Sequence, residues 1–120
     1  MHIIFGQEQA DELSTRYTVL ELDTFQIGVN GPTMTAYCVI EMVPFGELAA
    51  LADTQTQHQH LMINYKLQNW QDCLIAVEQL QGKWRGELDT FYADLRSRVN
   101  THIKNPPSTD WSSVILKPVS

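Results

Sequence analysis

The spacing of apolar residues changes character along the chain, and the change divides it. Up to about residue 43 the apolar positions alternate or run together, as in strands; from about 44 to 105 they recur every three or four residues, as on a helix face. The first strand is expected over residues 2–5, His-Ile-Ile-Phe, followed by Gly6 and a polar, helix-favouring stretch from Gln7 to Leu13. A second strand is expected over residues 17–27. Leu20 and Leu22 share one parity there and Phe25 and Ile27 the other, so the alternation slips near Asp23, which is the mark of a bulge. Gly28-Val29-Asn30-Gly31-Pro32 is a turn with Asn-Gly at its centre, the strongest short-range hairpin signal. The third strand, residues 33–42, is apolar on both parities and is expected to be central or covered on both sides.

Pro44 ends the strand-like region, and Leu48, Leu51, Ala52, Leu61, Met62 and Tyr65 then follow a helical spacing. Asp53 to His60 is polar throughout; without Gly or Pro to interrupt it, one helix from about Phe45 to about Lys66 is expected rather than two helices meeting at a loop. Next comes a helical hairpin. Its first half presents Trp70, Cys73, Leu74, Val77 and Leu80, with Asn69 as N-cap, Asp72 in the first turn and Gly82 as the stop. Its second half presents Leu88, Phe91, Tyr92, Leu95, Val99 and Ile103, with Gly86 as cap, Glu87 and Asp89 in the first turn, and Asn105-Pro106-Pro107 as the end. Residues 106–120, with Trp111, Val114, Ile115 and Leu116, are expected to fold back on the domain or onto another chain. The fold class is therefore α+β: a small antiparallel sheet of about three strands, packed with a C-terminal helical hairpin and one preceding helix, as a single domain over 1–120.

Composition narrows the function classes. The chain is 43% hydrophobic and 18% charged, which fits a globular domain, and no apolar run reaches the roughly 20 residues of a membrane span. Residues 1–60 hold one base against eight acids, and residues 61–120 seven bases against six acids. Such interleaved charge on a chain of net −6 is poor for nucleic-acid binding, which needs a concentrated basic surface; Arg85, Arg96, Arg98 and Lys104 would have to supply it. The acidic half suits a basic partner or the basic end of another copy. The start of the chain lacks the pattern of a signal peptide, so a cytoplasmic location is expected, with Cys38 and Cys73 as buried, reduced thiols.

Short stretches carry two resemblances. Tyr65-Lys66-Leu67-Gln68-Asn69-Trp70-Gln71-Asp72-Cys73, Arg96-Ser97-Arg98 and the run from Pro106 to Val114 with its Asp110-Trp111 resemble the tetratricopeptide-like helical tail of class III nucleotide cyclases. The resemblance implies an accessory, interaction-type hairpin without the cyclase's catalytic domain. The Thr18-Val19-Leu20-Glu21-Leu22-Asp23-Thr24 stretch and Gly82-Lys83-Trp84 before Glu87-Leu88-Asp89 resemble small proteins of T4-like marine phages, which implies an accessory protein of that setting.

Candidate chemistry is sparse. His58 and His60 stand two apart, which on a helix points them away from each other; with His102 and His2 as the only further histidines, no metal site is expected. Glu87 and Asp89 beside Trp84 and Tyr92 would suit an acid pair, but they fit better as acids at a helix start. Tyr37, Cys38 and Glu41 share a strand, yet neighbouring strand residues face opposite ways, so no nucleophile is activated. The Gly28, Gly31, Pro32 turn lacks the spacing of a phosphate loop. No cofactor is implied. Trp84, Trp111 and Tyr92 are the interface candidates by residue type. The expected function is a non-enzymatic interaction or assembly module that self-associates into a homo-oligomer. The alternative is a small ligand-binding domain or enzyme with a pocket between sheet and helices, lined by Tyr37, His58, Trp84 and Tyr92.

Overall fold

In the computed structural model, which describes residues 2–40 and 48–117, the strand-rich and helix-rich regions fall into two units. The first comprises Met1–Met42 with Ser113–Ser120, and the second Val43–Ser112. The fold is α+β: a four-stranded mixed sheet plus four helices, of which the three C-terminal ones pack together.

The sheet is built from β1 (His2–Phe5), β2 (Thr18–Ile27), β3 (Thr33–Ile40) and β4 (Ile115–Lys117), in the order β1-β3-β2-β4. β3 is central and pairs antiparallel with β1 on one side and β2 on the other; its last five residues are all buried. The register of β2 on β3 shifts between Glu21 and Thr24, where the sequence alternation slips. The sheet exceeds the expected antiparallel three strands because the tail folds back as β4, parallel to β2 and opposite Phe25 to Ile27. Three residues are too few to carry a periodic signal, which is why the strand is silent in the sequence. Helix α1 (Gln7–Leu13) rests on the sheet through the buried Ala10, and Gln7 Oε1 accepts from the Tyr37 hydroxyl at 2.6 Å.

At the β2–β3 turn the Ile27 amide donates to Pro32 O and the Gly31 amide to Gly28 O, with Gly28 and Asn30 at positive φ. The Gly28 amide also donates to Lys117 O at 2.7 Å, which ties the turn to β4. The expected ends of β3 at Met42 and of the next helix at Phe45, and Glu41 with them, lie outside the described residues.

The second unit contains α2 (Leu48–Lys66), α3 (Trp70–Leu80) and α4 (Asp89–Lys104). α2 runs unbroken through the polar stretch. Its buried stripe is His58, Leu61, Met62 and Tyr65, which meets Cys73, Val77 and Leu80 of α3 and Leu88, Tyr92, Leu95 and Val99 at and along α4. Ile103 lies outside this core, 37% exposed at the end of α4, and so departs from the expected stripe. The caps also depart from expectation. Asn69 occupies the N-cap of α3, but its amide bonds Asn64 Oδ1 instead of a helix amide. Gly86 belongs to a single 3-10 turn, Trp84–Gly86, and α4 starts after Leu88, so Glu87 precedes it. Asp89 does sit in the first turn, where its Oδ1 accepts from the Gly82 amide at 2.8 Å and clasps the hairpin. α2 closes in a Schellman arrangement: the Asn69 amide reaches Asn64 O, the Gln68 amide reaches Tyr65 O, and Gln68 takes the left-handed φ of 63° usually given to glycine.

A Cβ on Gly31 would run into the Ile27 carbonyl oxygen. Gly31→Ala is therefore expected to destabilise the protein by about 3 kcal/mol, the upper end for overpacking, measured as a lower urea midpoint at unchanged m-value.

Candidate functional site

Three of the four residues expected to line a pocket meet in the helical unit, where they form a closed polar contact. The Tyr92 hydroxyl lies 2.9 Å from His58 Nδ1 and accepts from Trp84 Nε1 at 3.1 Å. His58 and Tyr92 are fully buried and Trp84 is 8% exposed. A phenol has one proton to give and two lone pairs to receive, so one hydroxyl carried by α4 serves both an α2 side chain and the turn between α3 and α4. Trp84 is held at φ 55° and Arg85 at φ 57°, a conformation that bulky residues rarely adopt. Burial of the indole and its hydrogen bond offset that strain. Tyr37, the fourth residue, lies in the sheet unit and bonds Gln7; burial, then the charges of Glu21 and Asp11, raise its pKa above the ordinary phenol value, with a hydrogen bond to Thr35 opposing them.

A second cluster gathers at the other end of the helices. Trp70 and His102 stack at 4.8 Å, and Trp111 meets Tyr65, Trp70 and His102 edge-on at 5.5, 5.4 and 5.1 Å. Gln68 Nε2 donates to Ser108 O, which anchors the chain that delivers Trp111. The Arg98 guanidinium sits 5.5 Å over the Tyr65 ring and 3.0 Å from the Asp94 carboxylate. Burial, and secondly the nearby Arg98 charge, lower the His102 pKa below the ordinary imidazole value. Of the interface candidates, Trp84 and Tyr92 are thus core residues of the helical unit, and Trp111 is half-buried among aromatic rings.

The thiols are unsuited to nucleophilic work: Cys38 and Cys73 are free and buried, and burial with Asp72 nearby pushes the Cys73 pKa up to about 11. Among the described residues no three His, Cys, Asp or Glu side chains come together to hold a metal ion, and no helix is long and apolar enough to cross a membrane.

The feature that residue-type reasoning passes over is the edge of the sheet. Among the described residues no strand lies outside β1. Ile3 and Phe5 stand on one face of that strand, 45% and 49% exposed, and Met34 of the same face is 43% exposed. β1 carries no Lys, Arg, Asp or Glu, no proline and no bulge, the devices that normally blunt an edge. The opposite edge, β4, bears Lys117, whose ammonium lies 5.5 Å over the Phe25 ring, and the sequence continues with Pro118. The signal is present in the sequence as three consecutive apolar residues, Ile3 to Phe5, at a strand position, but edge status depends on strand order. Comparison with protein-family models, with curated proteins and with solved structures yields no match, so the geometry alone carries the functional reading.

Two outcomes follow from the helical clusters. Tyr92→Phe leaves the Trp84 indole N–H without this acceptor in a buried site and is expected to cost about 1–3 kcal/mol in urea denaturation. Because the folded state holds His102 below its unfolded pKa, protonation favours unfolding: this contribution is intact above pH about 6.5 and is lost as pH falls through the folded value. The fall in the urea midpoint from pH 7.5 to about pH 5 should accordingly be smaller for His102→Asn than for the parent protein.

Proposed function

We propose that this chain is a self-associating interaction module that joins a second copy through the β1 edge of its sheet. The observation that carries the reading is the contrast between the two edges: β1 has no Lys, Arg, Asp or Glu and has half-exposed Ile3 and Phe5, whereas β4 bears Lys117. An unguarded edge strand offers a row of amides and carbonyls that only another strand satisfies fully. A second copy provides such a strand with matching apolar side chains and no Lys, Arg, Asp or Glu to bury.

Four residues make a small contact, at the low end of specific interfaces, so the association is weak and concentration-dependent. Two copies of net charge −6 repel each other, and added salt screens that repulsion.

Sedimentation velocity over a concentration series is expected to show reversible association for the parent protein and a monomer for Ile3→Lys, which places a charge on the open edge at a half-exposed position, with circular dichroism confirming that the variant is folded. Raising the ionic strength should strengthen association. A parent protein that stays monomeric, or an Ile3→Lys variant that associates equally well, would refute the reading. Association that weakens with salt would instead indicate pairing of the acidic half with the basic end of another copy.

A further inference from the structure

Resting on the reading that copies meet at β1, we infer that the two strands pair antiparallel about a two-fold axis passing through Ile4, with Ile3 of each copy opposite Phe5 of the other. The backbone decides this. In an antiparallel pair, alternate residues direct both their N–H and their C=O toward the partner strand. The Gly6 amide donates to Thr35 O at 3.0 Å, so Gly6, Ile4 and His2 turn their backbone groups inward to β3. The hairpin on the other side of β3 agrees: the Ile27 amide donates to Pro32 O, which assigns the even positions of β3 to β2 and leaves Thr35, Tyr37 and Val39 for β1. The groups that point out of the sheet are consequently those of Ile3 and Phe5.

A two-fold axis perpendicular to the sheet keeps each face continuous across the junction, so opposed residues must come from the same face. That permits centres on a residue, never between two residues. With Ile4 on the axis, Ile3 and Phe5 of one copy meet Phe5 and Ile3 of the other, and all the outward amides and carbonyls of both strands find partners. With Ile3 on the axis, Ile3 meets itself and the Phe5 groups fall beyond the partner's His2, where β1 begins. With Phe5 on the axis, Ile3 falls opposite Gln7, which is already helical. Only the Ile4 centre uses the whole strand. It also lays the half-exposed side chains of Ile3 and Phe5 against each other on one face, as a cross-strand aliphatic–aromatic pair on each side of the axis. The result is one eight-stranded sheet in which each β4, with Lys117, forms an outer edge.

Cysteine cross-linking under oxidised glutathione tests the register. In such a pair the Ile4 Cα atoms face each other at about 4.5 Å, within the range a disulfide spans. Ile4→Cys is expected to form a covalent dimer roughly tenfold or more faster than Val29→Cys, a collision control at the 80% exposed turn position. Ile3→Cys, made with Cys38→Ala because Cys38 lies directly opposite Ile3 in the sheet, should stay near the control rate. Circular dichroism confirms that each variant is folded. Faster cross-linking of Ile3→Cys than of Ile4→Cys would overturn the register while leaving the β1 contact standing. Control-level rates for both, in a protein that still associates in sedimentation, would overturn the register and the β1 contact together.

Discussion

The alternation of backbone groups along β3 is the constraint on which the sheet depends. Along the stretch of that strand flanked by both neighbours, the backbone groups alternate sides, the even positions directed to β2 and the odd ones to β1. A central strand used on both sides leaves nothing over, so the open valence of the sheet is passed outward to its edges. On one side the tail strand caps it with a lysine. On the other, it reaches β1 and stops at Ile3 and Phe5. The proposed association follows from that bookkeeping of hydrogen bonds and from the absence of Lys, Arg, Asp and Glu along the strand.

The helical unit is organised by a different economy. α2 has almost no apolar bias over Asp53 to His60, yet it remains one helix because its buried stripe continues through His58, one turn before Leu61 and Met62. The Tyr92 hydroxyl makes that burial tolerable. It meets the imidazole on one side and the Trp84 indole on the other, so polar atoms from separate elements satisfy one another away from water. At the far end, Trp70, His102 and Trp111 do comparable work with ring faces and edges. Both clusters look from their residue types like binding equipment, but their partners lie within the unit.

Much of this was legible from the chain. β1 and α1 have the bounds that their residues suggest, the slip in β2 falls at the bulge, and the hairpin phase places Leu95 and Val99 in the core. These features rest on local periodicity, which a sequence displays directly. What stayed hidden depends on distant partners. Ile115–Lys117 becomes a strand only because the edge of β2 is there to receive it. Asn69 forgoes its expected cap bond because Asn64 lies across the α2–α3 corner, and Ile103 emerges because α4 outlasts the helices it packs against. His58, Trp84 and Tyr92 were nameable as a group, but their mutual hydrogen bonds, and hence their structural role, required the fold.

The path of the chain through the two units bears on how the protein is made. The strands β1 to β3 leave the ribosome early, whereas β4 follows only after all of Val43–Ser112. Throughout that interval a nascent sheet has two open margins, and the one along β2 matches no partner until Ile115 arrives. Crowded polysomes would bring such half-finished sheets together, with the helical insertion setting how long the second margin stays unsealed. The late strand therefore acts as a timed closure of the margin along β2 within each molecule.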